Sequence, residues 1–449
     1  MGAGRQPGRG DWAGCSYCSR AGGPAPSDKL CRALLLLAMA AAWVSAAIYV
    51  AVELGSSSLP SAAEWMWCGG VTATSATFRV LTQGEEGLVF VLSLEPDLSA
   101  PSAPPQPLPA GGGEEVPVAR VEVEGLSPAT RYYYGPVCSG GAVAPCSGAA
   151  APRGTFRTAP LRGSPVTLAF ASCADTGSRS RVFRQITAAD PDVFVHMGDL
   201  HYLDIGRDDP ALYRRAMGAV FGSPAQRHLF SRIPVAYMWD DHDFGENDSS
   251  SSSPSRPAAL VSYRANVPHY PLPADAEGGA DGGVYQAFSI GGVRVVMTDL
   301  RSEAASGGRI MSARQKEWLL RELGAAGQHA AVVWVSTVPW IGEATAGGDA
   351  WSGHAEERAE ISAFIAANVT RGNLVMISGD AHMVALDDGA HSGYSPSGGG
   401  GFPVVQMGPL DRTGSSKGGP YSHGCHGYVL QKGHHFGLLT VTEGGGSEC

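Results

Sequence analysis

The sequence has little positive charge for its length. Its 449 residues include 32 Lys and Arg against 42 Asp and Glu, which gives a formal net charge of −10 at pH 7. Proteins that bind nucleic acid broadly need a basic surface to neutralise phosphates, so the composition argues against that class of partner. Small phosphate esters stay open as ligands, because bound cations can reverse the local sign of the charge.

The sequence also lacks the low hydrophobic content and high charge of a disordered chain, and it shows no internal repeat. Hydrophobic residues make up 44% and charged residues 16% of the chain, which indicates a folded protein with a sizeable core. Its length allows more than one domain, because domains usually have about 100–200 residues.

The sequence has one long apolar run and no second one. Residues 33–54 are apolar as far as Glu53 and suffice to cross a hydrocarbon core, which needs about 20 residues. Basic residues precede the run, so we predict a disordered cytosolic tail at residues 1–32, a transmembrane signal anchor at 33–54 and a lumenal or extracellular main body. The alternative is secretion after cleavage of a signal peptide, since Val44-Ser45-Ala46 resembles a cleavage site.

Cysteine and asparagine positions carry weaker signals. Cys15 and Cys18 have no second Cys/His pair nearby, so they do not predict a zinc site. Cys138 and Cys146 flank a short loop and either close a disulfide in an oxidising compartment or remain free thiols. Asn247 and Asn368 each begin a glycosylation sequon, a pattern that also arises by chance.

Two kinds of pattern follow the apolar run. Residues 65–160 contain short alternating stretches rich in β-branched residues and predict a small all-β, fibronectin-like sandwich domain. Between residues 164 and 445 short apolar strands alternate with helical stretches, which predicts a layered α/β domain. Ligands of such folds bind beyond the carboxyl ends of the strands, so functional side chains are expected there.

Four clusters of polar residues follow apolar strands. A single Gly-Asp is ordinary turn chemistry, but four clusters in order, each at a strand exit, predict a shared metal site. Cys173 and Tyr202 also have a purely structural interpretation as buried packing residues, and His196, inside an apolar strand, is predicted to be a core residue. The clusters are Ser172-Cys173, Gly198-Asp199 with Tyr202, Asp240-Asp241-His242-Asp243 and Gly379-Asp380-Ala381-His382.

These motifs, with Thr298-Asp299-Leu300-Arg301, resemble those of the PhoD-like alkaline phosphatases, a branch of the calcineurin-like metallophosphoesterases. The resemblance covers roughly residues 67–442. It implies a four-layer αββα metallophosphoesterase sandwich at residues 164–445, preceded here by the β-sandwich domain and the N-terminal transmembrane helix.

The resemblance also implies the metals and their ligands. A ferric ion would be bound by Cys173, Asp199, Tyr202 and His382, and Asp199 would bridge to a second cation. Asp241 and Asp380 would complete that second site, whose oxygen-only ligands favour Ca²⁺, with Mg²⁺ or Mn²⁺ as alternatives. The metal-binding His that the wider class carries near Trp334 and Trp340 is absent here, which favours iron and calcium over two transition metals.

The implied activity is hydrolysis of phosphate monoesters or diesters by a water activated between the two cations. His242 would protonate or stabilise the leaving oxygen, with Asp240 or Asp243 orienting its ring. Arg301 would bind a phosphate oxygen, or else form a salt bridge with Asp299. The substrate would be a small-molecule, lipid or polymer phosphate ester.

Two other functions stay open at this point. One is a non-catalytic, metal-stabilised ectodomain for adhesion or scaffolding. The other is a different hydrolytic chemistry at the same site, such as cleavage of sulfates or nucleotides. The residues do not distinguish between substrates, and they leave the oligomeric state open.

Overall fold

The computed structural model describes residues 65–82, 86–110, 117–138, 153–276, 282–305, 308–345, 347–369, 372–426 and 433–443. All of them belong to one compact unit, Pro60–Cys449. The predicted tail at residues 1–32, the predicted anchor at 33–54 and Cys146 lie outside the described residues. Within those residues, no helix combines the length and the apolar character that crossing a membrane requires.

Two antiparallel sheets form the N-terminal β region. The first contains β1 (Trp65–Gly69), β2 (Ser75–Leu81) and β5 (Ala119–Glu124); the second contains β4 (Gln106–Pro107), β3 (Leu88–Ser93), β6 (Arg131–Cys138) and β7 (Gly154–Arg157). Buried and exposed residues alternate strictly along β5, as expected for strands with one face on a core. Phe78, Phe90, Tyr134 and Phe156 meet between the sheets.

Cys138, at the end of β6, is disulfide-bonded. A bonded cysteine at this position agrees with the first of the two alternatives that the sequence leaves for it. The pairing with Cys146 stays a prediction.

A four-stranded sheet begins the α/β part of the chain. Its order is β10 (Val235–Met238), β9 (Val193–Met197), β8 (Val166–Ala171) and β18 (Gly437–Val441), with the first three strands parallel and β18 antiparallel to β8. The helices of this part are α1 (Val182–Ala188), α2 (Pro210–Gly222), α3 (Pro224–Phe230), α4 (Asp241–Phe244), α5 (Arg256–Asn266) and α6 (Pro273–Ala276). Side chains of Asp209 and Ser223 cap α2 and α3, each directly before a proline that suits a first helical position.

A seven-stranded mixed sheet forms the second layer of strands. Its strands are β11 (Gln286–Ile290), β12 (Val293–Met297), β13 (Ala331–Ser336), β14 (Leu374–Ser378), β15 (Val384–Asp387), β16 (Val404–Met407) and β17 (His423–His426), in the order β11-β12-β13-β14-β16-β15-β17. Strands β12, β13, β14 and β16 are parallel. Helices α7 (Ala313–Gly324) and α8 (Ala355–Asn368) accompany this sheet, with short 3₁₀ helices at Ala326–Gln328 and Trp351–His354.

The seven-stranded sheet is buried on both faces, as the alternation along β13 shows. Val333 and Val335 belong to the core that the two α/β sheets share. Val332 and Trp334 belong to a second core with residues of α7 and α8. The predicted mixed α/β fold with several sheets is therefore confirmed, while the predicted boundary near residues 160–164 stays a prediction.

His196 is a core residue in β9, as the sequence predicts. Its ring lies among Phe194, Phe230 and Tyr237 and is fully buried. Neither ring nitrogen has a hydrogen-bond partner, and burial lowers the pKa of His196 to about 3. The ring therefore stays neutral in the folded protein between about pH 6.5 and pH 3, where the unfolded chain would protonate it.

We expect His196→Phe to stabilise the protein increasingly as the pH falls. Because the folded pKa of about 3 lies below the unfolded value of about 6.5, the wild type loses stability as the pH falls from about 6.5 towards 3, and the variant does not. The free energy of unfolding should rise by about 2 kcal/mol at pH 5. This is in addition to any increase that is already present at pH 7 because the unpaired nitrogens are removed. Urea unfolding at both pH values measures it. His329→Phe removes a partly exposed ring whose pKa burial also lowers, so it is the comparison and should gain less at pH 5. Equal gains at pH 5 and pH 7 in His196→Phe would contradict the prediction.

Candidate metal centre

The predicted site residues follow the carboxyl ends of parallel strands in both α/β sheets. Cys173 lies two residues beyond β8, Asp199 two beyond β9, and Asp380 two beyond β14. Asp240 and Asp241 follow β10 and begin α4. Strands β8, β9 and β10 belong to the four-stranded sheet and β14 belongs to the seven-stranded sheet, so residues that are far apart in sequence come together at the carboxyl ends of strands from both sheets.

Cys173, Asp199 and His382 form the first potential metal-binding group. One ligand atom from each lies within 4.8 Å of the others. The Tyr202 hydroxyl donates to Asp199 Oδ2 at 2.6 Å and lies 3.1 Å from His382 Nε2. The structure thus gathers the four residues assigned to the first metal.

The backbone carbonyl of Thr413 fixes the orientation of His382. It accepts a hydrogen bond from His382 Nδ1 at 2.8 Å, which assigns the proton to Nδ1 and leaves the Nε2 lone pair directed towards the site. Burial lowers the pKa of His382 to about 4, and nearby Lys417 and Arg412 add to that effect. The imidazole is therefore neutral, as a metal ligand must be.

Four candidate ligands have left-handed backbone conformations. The φ angles are 63° at Cys173, 56° at Asp199, 61° at Asp380 and 46° at His382. Such conformations cost roughly 1–3 kcal/mol each for ordinary residues and cluster at functional sites. At Gly198, with φ of 91°, an added Cβ would lie 2.4 Å from the Cβ of Asp240, so only glycine allows the two loops to approach so closely.

Asp199, Asp241 and His242 form a second group with ligand atoms within 4.8 Å of one another. Asp199 belongs to both groups, as expected of a bridging carboxylate. Asp380 Oδ1 instead accepts from Lys417 Nζ at 2.8 Å. Burial raises the pKa of Asp380 to about 6, with Asp349 and Asp241 adding to the shift and Lys417 opposing it.

Buried negative charge dominates this region. Burial raises the pKa of Asp199 well above its usual range, and the charges of Asp241, Asp240 and Asp243 add to the shift. Burial likewise raises the pKa of Asp240 to about 8, although Arg301 opposes it. Oxygens of Asp199 (Oδ1), Asp240 (Oδ2), Asp241 (Oδ1) and Asp380 (Oδ2) are buried without a hydrogen-bond partner. Buried carboxylate oxygens without partners fit cation binding, because such oxygens otherwise carry a large desolvation cost.

Arg301 is buried in a network of carboxylates. Only 2% of its side chain is exposed, and its Nε donates to Asp240 Oδ1 at 2.5 Å. Its Nη2 lies 3.3 Å from Asp349 Oδ2 and 3.7 Å from Asp241 Oδ1. The guanidinium thus contacts Asp240 and Asp349 rather than the side chain of Asp299, whose carboxylate accepts from the backbone N–H groups of Arg301 and Ser302.

Asp204 orients His242, in place of Asp240 or Asp243. His242 Nδ1 lies 2.5 Å from Asp204 Oδ1, whereas Asp240 contacts Arg301 and Thr337 and Asp243 accepts from the backbone of Leu200 and His201. Burial favours neutral His242, but the hydrogen bond that its ring donates to Asp204 and the charges of Asp241 and Asp240 outweigh that effect and raise its pKa. Its ring lies against Tyr202, with centroids 4.2 Å apart.

Aromatic side chains stand where the wider class carries a metal-binding histidine. Trp334, Trp340, Trp351 and Phe402 pack together behind the end of β13. The next residue after that strand, Thr337, donates to Asp240 Oδ1 at 3.1 Å. The absence of that histidine noted in the sequence thus corresponds here to an apolar cluster and a hydrogen bond.

A family model and several solved structures match this chain. The model of the PhoD-like phosphatases matches residues 168–407, which is more than half of the chain and extends from within β8 to the end of β16. The chain belongs to the PhoD-like phosphatase family. This confirms the resemblance drawn from the motifs.

The solved structures resemble this family member in fold. The structure of PhoD matches with a TM-score of 0.61 and 17% identity, over 78% of this chain and 77% of PhoD. A purple acid phosphatase from yellow lupin (Lupinus luteus) seeds matches with a TM-score of 0.55 and 11% identity, over 84% of this chain and 69% of the plant protein. No curated protein matches the sequence. The family and these neighbours support a metal-binding phosphoester hydrolase.

Several polar residues of this PhoD-like centre are not apparent from the sequence motifs. Asp248 and Asp349 form a third acidic group with Asp241 and line a cavity of about 210 Å³ beside Arg301. Arg412 stacks on the Tyr202 ring, 3.7 Å from its centroid, and pairs with Asp175. These residues lie on loops, and no periodic pattern or spacing identifies them in the sequence.

Proposed function

We propose that the chain hydrolyses phosphate monoesters or diesters at a binuclear metal centre. One observation carries this proposal: the side chains of Cys173, Asp199, Tyr202 and His382 lie together beside Asp241. Buried carboxylate oxygens in the same place have no hydrogen-bond partner. The ligands of the first metal are a thiol, a carboxylate, a phenol and an imidazole, whereas those of the second metal are carboxylates only. That asymmetry suits two different cations.

The residues present fit the two implied ions. Cys173, Asp199, Tyr202 and His382 would bind Fe³⁺, and Asp199, Asp241 and Asp380 would bind Ca²⁺, or Mg²⁺ or Mn²⁺. When bound, the cations supply Lewis-acid activation of water and neutralise the charge of the phosphate. The thiol and the phenol must lose their protons to act as ligands, and binding of a cation provides the compensating charge.

His242 is placed to act as the general acid. Asp204 accepts from Nδ1, so Nε2 carries a proton that can pass to the leaving oxygen when the ring is the doubly protonated imidazolium. The hydrogen bond to Asp204 and the charges of Asp241 and Asp240 raise the pKa of His242 against the effect of burial, which is the direction that a general acid requires. Arg301 and Asp240 act as positioning residues, because the guanidinium spans Asp240, Asp349 and Asp241 and thereby fixes Asp241.

We further propose that the hydrolase acts on the lumenal or extracellular side of a membrane, tethered by residues 33–54. The basic residues before the apolar run support that orientation. The disulfide at Cys138 supports an oxidising compartment. Secretion after signal cleavage and glycosylation at Asn247 and Asn368 remain predictions.

The test compares metal content and activity in the full-length chain. We expect wild-type protein to contain two cations and to hydrolyse p-nitrophenyl phosphate or its bis ester. Cys173→Ala should lose the first cation and lower kcat by roughly 10²-fold or more. Cys68→Ala, at a second buried free cysteine of the described residues, is the matched control and should keep both cations. Metal without turnover in the wild type would favour the scaffolding alternative, and absence of metal would refute the centre.

A further inference from the structure

Two cationic side chains contact Asp240 and Asp380 of the centre, and they differ in accessibility. Arg301 is 2% exposed and bonded to Asp240 and Asp349. Lys417 is 48% exposed in its side chain and donates to Asp380 Oδ1 at 2.8 Å. An ammonium group has three N–H donors, so the one bond to Asp380 leaves two donors on the exposed side. Of the two cations, Lys417 is the one that a substrate can reach.

The segment at residues 413–421, here called the strap, holds Lys417 in place through its backbone. Ser415 donates from its backbone N to His382 O at 3.1 Å and from its hydroxyl to Ala381 O at 2.7 Å. The backbone N of Lys417 lies 3.2 Å from Met383 Sδ. The strap is therefore fixed on the segment that carries Asp380 and His382, without any contribution from the Lys417 ammonium.

Gly418 allows the strap to lie this close. Its φ is +72°, and an added Cβ would lie 2.2 Å from the carbonyl oxygen of Ile341. The backbone N of Gly419 donates to the same carbonyl at 3.2 Å. Only glycine is tolerated at position 418, directly after Lys417. This close approach of the backbone therefore fixes the position of Lys417 beside the carboxylates.

The number of charged oxygens distinguishes the two ester classes. A phosphomonoester has three non-bridging oxygens and carries up to two negative charges; a diester has two such oxygens and one charge. In a diester a second substituent replaces the third oxygen. A lysine ammonium is a point charge suited to a phosphate oxygen.

We infer that Lys417 binds a non-bridging oxygen of a terminal phosphate and so favours monoesters over diesters. This rests on the proposed function and assigns a specificity-determining residue to the same site. Asp380 positions the ammonium, and the strap fixes its distance from the centre. The substrate class is a phosphate monoester whose third oxygen faces the strap.

The experiment uses the full-length, metal-loaded chain and the variants Lys417→Met and Lys417→Arg. We expect Lys417→Met to lower kcat/KM for p-nitrophenyl phosphate roughly 10- to 100-fold, mainly through KM, as for loss of a charge-assisted hydrogen bond. Hydrolysis of bis-p-nitrophenyl phosphate should change by less than about 3-fold, and inorganic phosphate should bind more weakly by calorimetry. Metal content should not change, and Lys417→Arg should recover most of the monoester activity.

Two further variants separate specificity from general damage. Lys316→Met removes the same charge on α7, where Lys316 pairs with Glu360, and should leave the ester ratio unchanged. Gly418→Ala displaces the strap and should reduce monoester activity selectively, as Lys417→Met does.

The possible outcomes are distinguishable. An equal fall for both esters with loss of metal would overturn the inference, since Lys417 would then only neutralise Asp380. An unchanged ester ratio and unchanged phosphate affinity in Lys417→Met would overturn it as well. A wild type that binds metal but hydrolyses neither ester would refute the proposed function. The inference could still be decided in that case by comparing the affinity for inorganic phosphate of the wild type with that of Lys417→Met.

Discussion

We expect Asp199→Asn to abolish phosphoester hydrolysis while making the metal-free protein more stable. Asp199 is 2% exposed, and its Oδ1 has no hydrogen-bond partner. Burial and the charges of Asp241, Asp240 and Asp243 raise its pKa well above the usual range, so its ionised form is unfavourable without a cation. An amide keeps the shape and an acceptor for Tyr202 but removes that repulsion. It also removes the carboxylate shared by the two potential metal-binding groups.

The expected sizes follow from these two effects. Activity should fall by at least roughly 10²- to 10³-fold, comparable with the loss of a key electrostatic group at an active site. The melting temperature of chelated protein at pH 7 should rise by about 2 °C or more, as for a gain of about 1 kcal/mol. Calorimetry of chelated samples and steady-state assays of metal-loaded samples measure the two changes.

Asp97→Asn is the control, because Asp97 is an exposed residue of the N-terminal β region. It should change neither activity nor stability appreciably. Two results would contradict the prediction for Asp199→Asn: retention of both cations with activity, or a lower melting temperature of the chelated variant. The first would remove Asp199 from the bridging position, and the second would show that its carboxylate is well compensated without metal.

Arg301→Met should destabilise the chelated protein by about 3–5 kcal/mol, because removal of one partner leaves buried charge uncompensated. Arg301 and Asp240 have side chains that are 2% and 1% exposed, and Asp241 and Asp349 lie on the same guanidinium. Loss of the arginine should also release Asp241 and abolish activity. The midpoint of urea unfolding at pH 7 measures the loss of stability.

The double variant Arg301→Met, Asp240→Asn tests the cause. If the uncompensated charge of Asp240 is responsible, the second change should restore a large part of the lost stability. Arg294→Met removes an ion pair with Glu322 whose side chains are 22% and 19% exposed, and should cost no more than about 1 kcal/mol. An equal loss in Arg294→Met and Arg301→Met would show that burial of the carboxylate network is not the cause.

The sequence identified the residues at strand ends better than those on loops. Cys173, Asp199 and Asp380 follow recognisable apolar strands, and layered α/β folds place their functional residues at the carboxyl ends of such strands. Asp204, Asp248 and Asp349 do not directly follow a strand. Their positions depend on the path of irregular segments, which no local periodicity encodes.

Arg301 illustrates why spacing alone misleads. Its position two residues after Asp299 suggests an ion pair between them. In the structure the turn uses the Asp299 carboxylate to bind its own backbone N–H groups. The guanidinium is directed instead to Asp240, 61 residues away in sequence. Short side chains that cap their own turns commonly become unavailable to neighbouring charges in this way.

The sequence by itself determined the family, the alternation of strands and helices, and the types of ligand that reach the strand ends. These properties are local, because residue type, hydrophobic period and short motifs are read along the chain. The tertiary structure decided which charges meet: Asp204 with His242, Arg301 with Asp240, and Lys417 with Asp380. The energy of interaction between two charged side chains depends on their distance, within a few ångströms, and on their burial. Folding sets both, because it brings together loops that are separated by tens of residues.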